Sequence, residues 1–449
     1  MSRPARHHPR LTAFVLLASC SLMCFGIVAG AAAQTDWPMA GHDPEHTGTV
    51  GGPEAPYRVV WSEPVAGWPV SGAAVTDRAI IVMTREGIAA LSPGDGTVQW
   101  EEARTLGPAG VPAVAGNLVL YAASNGPSGQ LVARDVRDGT LVWQTVLGSA
   151  ALGGPTVVDD IAYVGTLDGE VTALDVETGT VRWTFETVGA VRGAPAVADG
   201  ILVAAAYEAT SGNTTVYALD AEVGSEDGPD WQFAPGAVGP PSGVSIADRR
   251  AFVAVSDGNI RSLALGSGSE VWTAPSRDGF GPRQTPAVGD AFVLVDRAHV
   301  YALDPATGKE RWVFQVADLA ATAAGGFNTL LASAPAVSGS SVLIGSGDGT
   351  LSAIDVDSGH REWHRDLGDG AVGPIAASGD RVYAVTLGEE GRVVALEHDA
   401  DGKLLAEVSP TVLFVGRALL NFGAAAAAVG AAILLLFRLV LRPRRTVAA

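Results

Sequence analysis

Tryptophan recurs at an almost constant interval along most of this chain. The mean spacing is about 43 residues, a usual length for one blade of a β-propeller. A glycine stands four residues before six of these tryptophans, and an aspartate stands eight residues before four of them. The series comprises Trp61, Trp100, Trp143, Trp183, Trp231, Trp272, Trp312 and Trp363. This register predicts a repeat fold in which each tryptophan docks against the next unit.

Residues 153–185 contain one complete unit of the repeat. Segments 171–175 and 181–185 alternate apolar and polar residues at the period of a β-strand, and a turn separates them. Gly179 suits this turn because glycine adopts positive φ, and Asp175 can accept hydrogen bonds from turn amides. A four-stranded sheet of this size cannot bury both faces alone, so each unit needs a neighbour on both sides.

Several units also open with similar residues around a Pro-Ala-Val motif. The four segments are 111–114 (VPAV), 194–197 (APAV), 285–288 (TPAV) and 334–337 (APAV). With these motifs the chain resembles the PQQ-like β-propeller repeat family over residues 37–408. That family includes the quinoprotein dehydrogenases and the outer-membrane assembly scaffold BamB. The resemblance implies an all-β fold of four-stranded antiparallel blades, and it embraces both enzymes and non-enzymes.

The ends of the repeat region predict how the ring closes. Residues 57–61 form a lone strand that carries Trp61, whereas three strands without a fourth follow at 372–376, 381–385 and 391–396. Pairing the first strand with the last three would give eight blades and leave no open sheet edge at the junction. Residues 403–408 are an alternative fourth strand, which would leave Trp61 outside the blade or on a fifth strand.

Residues 1–33 have the pattern of an export signal. Arginines precede an apolar run, and small residues end it at 31–33. An alternative is a lipobox at 17–20, with Cys20 as the lipidated residue, but the apolar run continues after it. Cys20 and Cys24 are the only cysteines. Cleavage after Ala33 would leave a mature chain without disulfides, thiolate catalysis or cysteine metal sites.

Residues 36–48 combine two histidines with aspartates. His42, Asp43 and His46 would be candidate metal ligands, but closely spaced histidines alone seldom make a site. The PQQ-like family often begins with such a Trp-Pro…His-Thr-Gly segment as a structural lead-in. We therefore interpret it as a capping loop and predict no metal.

Unequal connections indicate which face of the ring binds a partner. With strands named A to D within each blade, the B–C and D–A connections share one face (the B–C/D–A face), and the A–B and C–D connections share the other (the A–B/C–D face). Extra length occurs on the first at 124–129, 208–214, 273–283, 315–330 and 387–391, and on the second only at 222–230. Because loops on rigid scaffolds concentrate binding, we predict a partner surface on the B–C/D–A face. Its candidate anchors are Arg192, Tyr207, Arg283, Phe327 and Asn328.

The C-terminal region predicts a membrane anchor. Residues 418–437 form an uncharged stretch within an anchor region at 411–441, long enough to span a bilayer as a helix. The arginines that follow, and the short tail at 442–449, favour a cytoplasmic C-terminus. The export signal then places the propeller outside the cytoplasm of a single-pass membrane protein.

Composition and motifs favour binding over catalysis. A net charge of −19 argues against nucleic acid, because phosphate binding needs a basic surface. The hallmarks of a quinoprotein dehydrogenase, an adjacent-cysteine pair and a calcium ligand set, are not recognisable. The Asp-Gly pairs at Asp168, Asp257 and Asp348 fit turns. We predict a non-enzymatic scaffold without a cofactor. The alternative is a PQQ-dependent oxidoreductase with Ca²⁺, and a third possibility is a membrane sensor.

Overall fold

The computed structural model describes residues 36–103, 110–125, 128–225, 228–236, 239–255, 257–277, 284–296, 299–315, 333–368, 370–387 and 391–402. The regular structure of these residues consists of β-strands. Within this part of the chain, no helix has the length and apolar character needed to cross a bilayer. The predicted export signal and the predicted span at 418–437 both lie outside the described residues.

The strands form eight separate antiparallel sheets, which are the eight blades of a propeller. Blade 1 has strands β3 (Pro69–Val75), β4 (Ile80–Thr84), β5 (Gly87–Leu91) and β6 (Val98–Ala103). Blade 2 has β7 (Ala113–Ala115), β8 (Leu118–Asn125), β9 (Ser128–Asp135) and β10 (Leu141–Leu147). Blade 3 has β11 (Thr156–Val158), β12 (Ile161–Gly165), β13 (Glu170–Asp175) and β14 (Val181–Glu186). Blade 4 has β15 (Ala190–Val191), β16 (Ala196–Ala198), β17 (Ile201–Glu208), β18 (Asn213–Asp220) and β19 (Trp231–Phe233).

The second half of the ring repeats this order. Blade 5 has β20 (Ser245–Ala247), β21 (Arg250–Val255), β22 (Asn259–Ala264) and β23 (Glu270–Pro275). Blade 6 has β24 (Ala287–Val288), β25 (Phe292–Val295), β26 (His299–Leu303) and β27 (Glu310–Gln315). Blade 7 has β28 (Ala336–Ser338), β29 (Ser341–Gly345), β30 (Thr350–Asp355) and β31 (Arg361–Asp366), together with β1 (Thr49–Val50), which pairs with β28 in parallel. Blade 8 has β32 (Ala371–Ser378), β33 (Arg381–Leu387), β34 (Arg392–His398) and β2 (Tyr57–Pro64).

The ring closes through the pairing of its first outer strand with its last blade. β2 runs antiparallel to β34, with Tyr57 opposite His398 and Trp61 opposite Ala395. Nη2 of Arg392 on β34 also donates a hydrogen bond to the carbonyl oxygen of Ser62 on β2 at 2.6 Å. The predicted closure by residues 57–61 is confirmed, so Trp61 lies on the fourth strand of blade 8. Residues 403–408, the alternative fourth strand, lie outside the described residues.

The tryptophans dock each blade onto the next one. The indole Nε1 of Trp143 in blade 2 donates to the carbonyl of Val176 in blade 3 at 2.8 Å. The same bond recurs from Trp61, Trp100, Trp183, Trp231, Trp272 and Trp312 to carbonyls of the following blades. Each of these seven tryptophans therefore contacts the following blade through its indole nitrogen. Trp363 packs its ring edge-on against Tyr57, with centroids 5.3 Å apart.

Blade contacts also explain the burial of the middle strands. Every residue of β12 is buried, and Thr172 on β13 is buried although it is polar. Alternation in the sequence therefore does not become alternation in exposure, because both faces of a middle strand pack against neighbouring blades. Only the outer strands show an exposed face, as in β14 with its largely exposed pattern.

Candidate binding surface and the segment at the channel

The first residues of the described chain, 36–50, contact the innermost strand of each blade. We call this stretch the axial segment. Its carbonyls accept hydrogen bonds from corresponding amides of blades 2, 4, 5, 6 and 7, at Val114, Val197, Ile246, Val288 and Val337, with distances between 2.6 and 2.8 Å. Trp37 exchanges two backbone bonds with Val75 in blade 1. Side chains complete the set, since Ser378 of blade 8 donates to Asp36 and His46 contacts blade 3.

These contacts place the axial segment at one end of the central channel. The amides that it binds in blades 2, 4 and 5 lie close to the A–B turns, near the ends of the first strands. Because the eight first strands surround the propeller axis, a segment that contacts all of them occupies the channel on the A–B/C–D face. The predicted capping role is confirmed, and its extent exceeds what a single loop implies.

His46 joins blades 3 and 5 through both nitrogens of its ring. Its Nδ1 lies 3.1 Å from the carbonyl oxygen of Val244, and its Nε2 lies 3.0 Å from Oγ1 of Thr156. The carbonyl can only accept, so Nδ1 carries a proton. In the neutral ring Nε2 then accepts, and the single hydroxyl proton of Thr156 is shared between Nε2 and the carbonyl oxygen of Pro195 in blade 4, which lies 2.6 Å from Oγ1. Burial is the largest influence and lowers the pKa of His46, while the charge of Asp43 and the bond to Val244 act in the opposite direction.

His42 and Asp43 have structural partners within the axial segment. Oδ1 of Asp43 accepts the amide of Thr47 at 2.8 Å, and Oδ2 accepts the hydroxyl of the same residue. Nδ1 of His42 lies 3.1 Å from Oδ2 of Asp43, and its ring packs edge-on against Trp37. Across the residues that the structure describes, no group of three or more potential metal ligands converges. His42 and His46 therefore contribute to the turn and to the blade contacts.

The opposite, B–C/D–A face carries two of the five candidate anchors in the described chain. Arg192 is exposed and follows β15, while Tyr207 is half-buried on β17. β15 pairs with β17 so that Ala190 lies opposite Tyr207, which places both candidates in one corner of blade 4. The connection that carries Arg192 is held by the amide of Val191, which donates to the carbonyl of Thr166 at 2.9 Å. Arg283, Phe327 and Asn328 lie outside the described residues, so the set stays a prediction.

Two extended hairpins project from the B–C/D–A face. The B and C strands of blades 2 and 4 are eight residues long, whereas β12 of blade 3 has five. The extra lengths predicted at 124–129 and 208–214 are therefore, in the residues that the structure describes, mainly added strand residues. Most of the connections at 273–283 and 315–330 lies outside the described residues.

The Asp-Gly pairs on this face are engaged in their own turns. Oδ1 of Asp168 accepts the hydroxyl of Thr166 at 2.5 Å, and Oδ1 of Asp348 accepts the amide of Thr350 at 3.0 Å. Asp257 instead pairs with Arg261 through two bonds of 2.5 and 3.1 Å. The glycines that follow all have positive φ. The predicted turn role is confirmed for these aspartates.

Sequence reasoning missed the reach of the axial segment and the additional strands β1 and β15. Two-residue strands leave no periodic signal. The contacts of 36–50 are also made by backbone carbonyls, which every residue type provides. The sole clue was the density of Pro, Gly and His between Trp37 and Gly48.

The geometry defines an eight-bladed, tryptophan-docked β-propeller with its own N-terminal residues at one end of the channel. A family model described as outer membrane protein assembly factor BamB matches residues 55–154, 147–292 and 231–405. The chain therefore belongs to the family of the outer membrane protein assembly factor BamB. No curated protein matches the sequence.

Solved structures with a similar fold include a BamB protein and two dehydrogenases. BamB from Moraxella catarrhalis is 18% identical with a TM-score of 0.59, covering 77% of this chain and 99% of that chain. A europium-containing methanol dehydrogenase is 12% identical with a TM-score of 0.68, covering 81% and 98% respectively. A quinohemoprotein alcohol dehydrogenase from Comamonas testosteroni is 14% identical with a TM-score of 0.68, covering 85% and 84%. At these identities the likeness concerns the fold alone.

Proposed function

We propose that this protein is a membrane-anchored, extracytoplasmic propeller that binds a protein or another component of the cell envelope without catalysing a reaction. The observation that carries the proposal is the asymmetry of the two faces. The axial segment fills the channel at the A–B/C–D face through contacts with all eight blades. The extended hairpins of blades 2 and 4 lie on the opposite face. A rigid ring with elaborated loops on one face is suited to docking a partner there.

The location rests on the sequence at both ends of the chain. Residues 1–33 have the features of an export signal, and residues 418–437 have the length and apolar character of one membrane span. The basic residues after this span favour a cytoplasmic tail. A fluorescent-protein fusion at the C-terminus should fluoresce, whereas an alkaline-phosphatase fusion there should be inactive. The reverse pattern would contradict the proposed orientation.

The partner surface is tested by shortening loops on each face in turn. We propose to crosslink the full chain in its membrane and compare its specific partners with those of two variants shortened at 273–283 and at 315–330. A third variant shortened at 222–230, on the opposite face, is the matched control. Partners should be lost in the first two variants and retained in the control. The same partners in every variant would remove the assignment of the B–C/D–A face.

The alternative function is a PQQ-dependent oxidoreductase, in keeping with the similarity in fold to two dehydrogenases. Titration of the purified full chain with PQQ and Ca²⁺ distinguishes the two. The scaffold predicts that the absorption spectrum of the quinone stays that of the free compound and that no alcohol or sugar is oxidised in a dye-coupled assay. Stoichiometric binding with dye reduction would establish the oxidoreductase instead.

A further inference from the structure

The outer edge of blade 2 differs from the outer edges of the other blades. Its strand β10 has the sequence LVWQTVL, with no charged residue. Each other outer strand of at least six residues in the described chain carries one or more charges, as in VQWEEA of β6 and REWHRD of β31. Charges on an edge strand protect it from pairing with other chains, and β10 lacks this protection.

Three apolar side chains of β10 are exposed, and Val146 is the most exposed large apolar side chain in the strands that the structure describes. Val146 is 73% exposed, Val142 is 49% exposed and Leu141 is 48% exposed. Trp143, between them, points the other way and is buried against blade 3. β10 is the terminal strand of its sheet, and among the strands that the structure describes none pairs with its outer side. The edge thus offers both backbone hydrogen-bonding groups and apolar side chains.

One end of this edge is acidic. A β-carbon placed at Gly148, directly after β10, would lie 2.8 Å from a carboxylate oxygen of Asp168 and 3.0 Å from one of Glu170. Burial raises the pKa of Glu170, with further upward contributions from the charges of Asp168 and Glu186. No arginine or lysine of the described residues is ion-paired with these three carboxylates. A segment placed along β10 therefore meets uncompensated negative charge at the Gly148 end.

We propose that β10 is a docking strand that adds to its outer edge an extended segment of another polypeptide, antiparallel, with alternating apolar residues preceded by lysine or arginine. Antiparallel pairing places the start of the partner segment beside Gly148, where the basic residues meet Asp168 and Glu170. Main-chain bonds supply affinity in strand addition, and the alternate side chains supply specificity. The apolar side chains of the partner cover Val142 and Val146.

A second copy of this chain fits the edge poorly. Antiparallel pairing of two β10 strands would bring the acidic end of one copy toward Asp138, in the turn before the strand of the other. Each copy also has a net charge of −19, so their approach is opposed at long range. The docking strand lies on the rim of the ring and not on the B–C/D–A face. The inference therefore goes beyond the proposed function, and loop variants and β10 variants give independent results.

The test uses the full chain in detergent and a labelled probe peptide of alternating valine and threonine preceded by two lysines. Binding is followed by fluorescence anisotropy for the wild type and for Val146→Glu. The added glutamate would strengthen purely electrostatic binding of a basic peptide, whereas it weakens strand docking, by about tenfold if one well-packed apolar contact is lost. Val313→Glu, on the outer strand β27 of blade 6, is the matched control and should bind like the wild type.

Two further measurements locate the contact. Hydrogen exchange of residues 141–147 should slow when the peptide is added, while exchange of residues 310–315 should not. A peptide with N-methyl groups on its pairing edge, and one with glutamates in place of the lysines, should each bind about tenfold more weakly or worse. The proposal is overturned if the wild type does not bind the peptide, or if Val146→Glu or the N-methylated peptide binds unimpaired. It is equally overturned if analytical ultracentrifugation shows self-association that Val146→Glu abolishes, because β10 would then be a self-contact.

Discussion

Gly179 approaches Trp143 of the preceding blade so closely that a β-carbon at Gly179 would lie 2.5 Å from Cδ2 of the indole. Gly179 also has φ of +70°, which only glycine adopts without strain. The same contact joins Gly96, Gly139, Gly224, Gly268, Gly308 and Gly359 to the tryptophans of their preceding blades. Glycine and tryptophan therefore recur together because one forms the surface on which the other docks.

Replacement of Gly179 by alanine should destabilise the propeller through two separate effects. The left-handed backbone costs about 1–2 kcal/mol for a residue with a β-carbon. The clash with Trp143 adds about 1–3 kcal/mol, as in other overpacked interiors. Gly116→Ala is the matched control, since Gly116 has φ of +59° but nothing within 4 Å of its β-carbon position. Urea unfolding should show a larger loss for Gly179→Ala, and equal losses would contradict the docking contact.

A disulfide between β2 and β34 should form and should stabilise the ring. The side chains of Arg58 and Glu397 form an exposed ion pair between directly opposed residues of these strands. Cysteines at both positions should crosslink under oxidation, adding about 4 kcal/mol or more because the closed loop is long. Non-reducing electrophoresis and thermal unfolding measure the two effects, with Arg58→Cys and Glu397→Cys alone as controls. Failure to crosslink would mean that another segment closes blade 8.

Substitution of His46 by leucine should destabilise the propeller by about 1–3 kcal/mol. The change leaves the carbonyl of Val244 without its buried partner and removes the contact with Thr156, and an unsatisfied buried group has about this cost. His360 is exposed in a turn of blade 7, so His360→Leu should change stability little. Equal effects of the two substitutions on chemical unfolding would show that the side-chain contacts of His46 contribute no net stability.

Stability should also fall with acidification because of His46. Its folded-state pKa is lowered below 6.5, so the unfolded chain binds a proton there that the folded chain resists. The contribution of His46 is complete above about pH 6.5 and decreases below it by at most about 1.4 kcal/mol per pH unit. Burial raises the pKa of Glu45, which has the opposite effect as its carboxylate titrates.

The comparison of wild type with His46→Leu isolates the histidine, because Glu45 is present in both. The stability difference between the two proteins should shrink as the pH falls from 7 to 5 in unfolding experiments. A difference that is constant over this range would show that the folded protein binds the proton as readily as the unfolded chain.

The sequence predicted the blades well because each blade depends on contacts of fixed spacing. Blade 3 shows this. Oδ1 of Asp175 accepts a hydrogen bond from the amide of Thr178, and Gly179 has positive φ in the turn, as their positions before Trp183 predicted. Blade 4 was less regular, with Gly224 seven residues before Trp231. The structure shows that the inserted residues follow this glycine, which still packs against Trp183.

The candidate site was less accessible to such reasoning. Arg192 and Tyr207 were selected from loop length and residue type, and only the pairing of β15 with β17 shows that they share a corner of blade 4. The exposed edge of β10 likewise becomes evident only beside the charged edges of the other blades. Neither feature has a period or a motif.

The sequence by itself determined the repeat and indicated eight blades, because the spacing of tryptophan, glycine and aspartate records contacts between neighbouring units. It left two candidate segments for closing the last blade, 57–61 and 403–408, and the pairing of β2 with β34 identified the first. Tertiary structure alone decided what lies at the ends and on the rim of that ring. The axial segment binds mainly through backbone carbonyls, which leave no side-chain signature in the sequence. Its partners extend from Val75 in blade 1 to Ser378 in blade 8. The exposure of Val146 depends on which neighbours cover a strand, and the ring determines those neighbours.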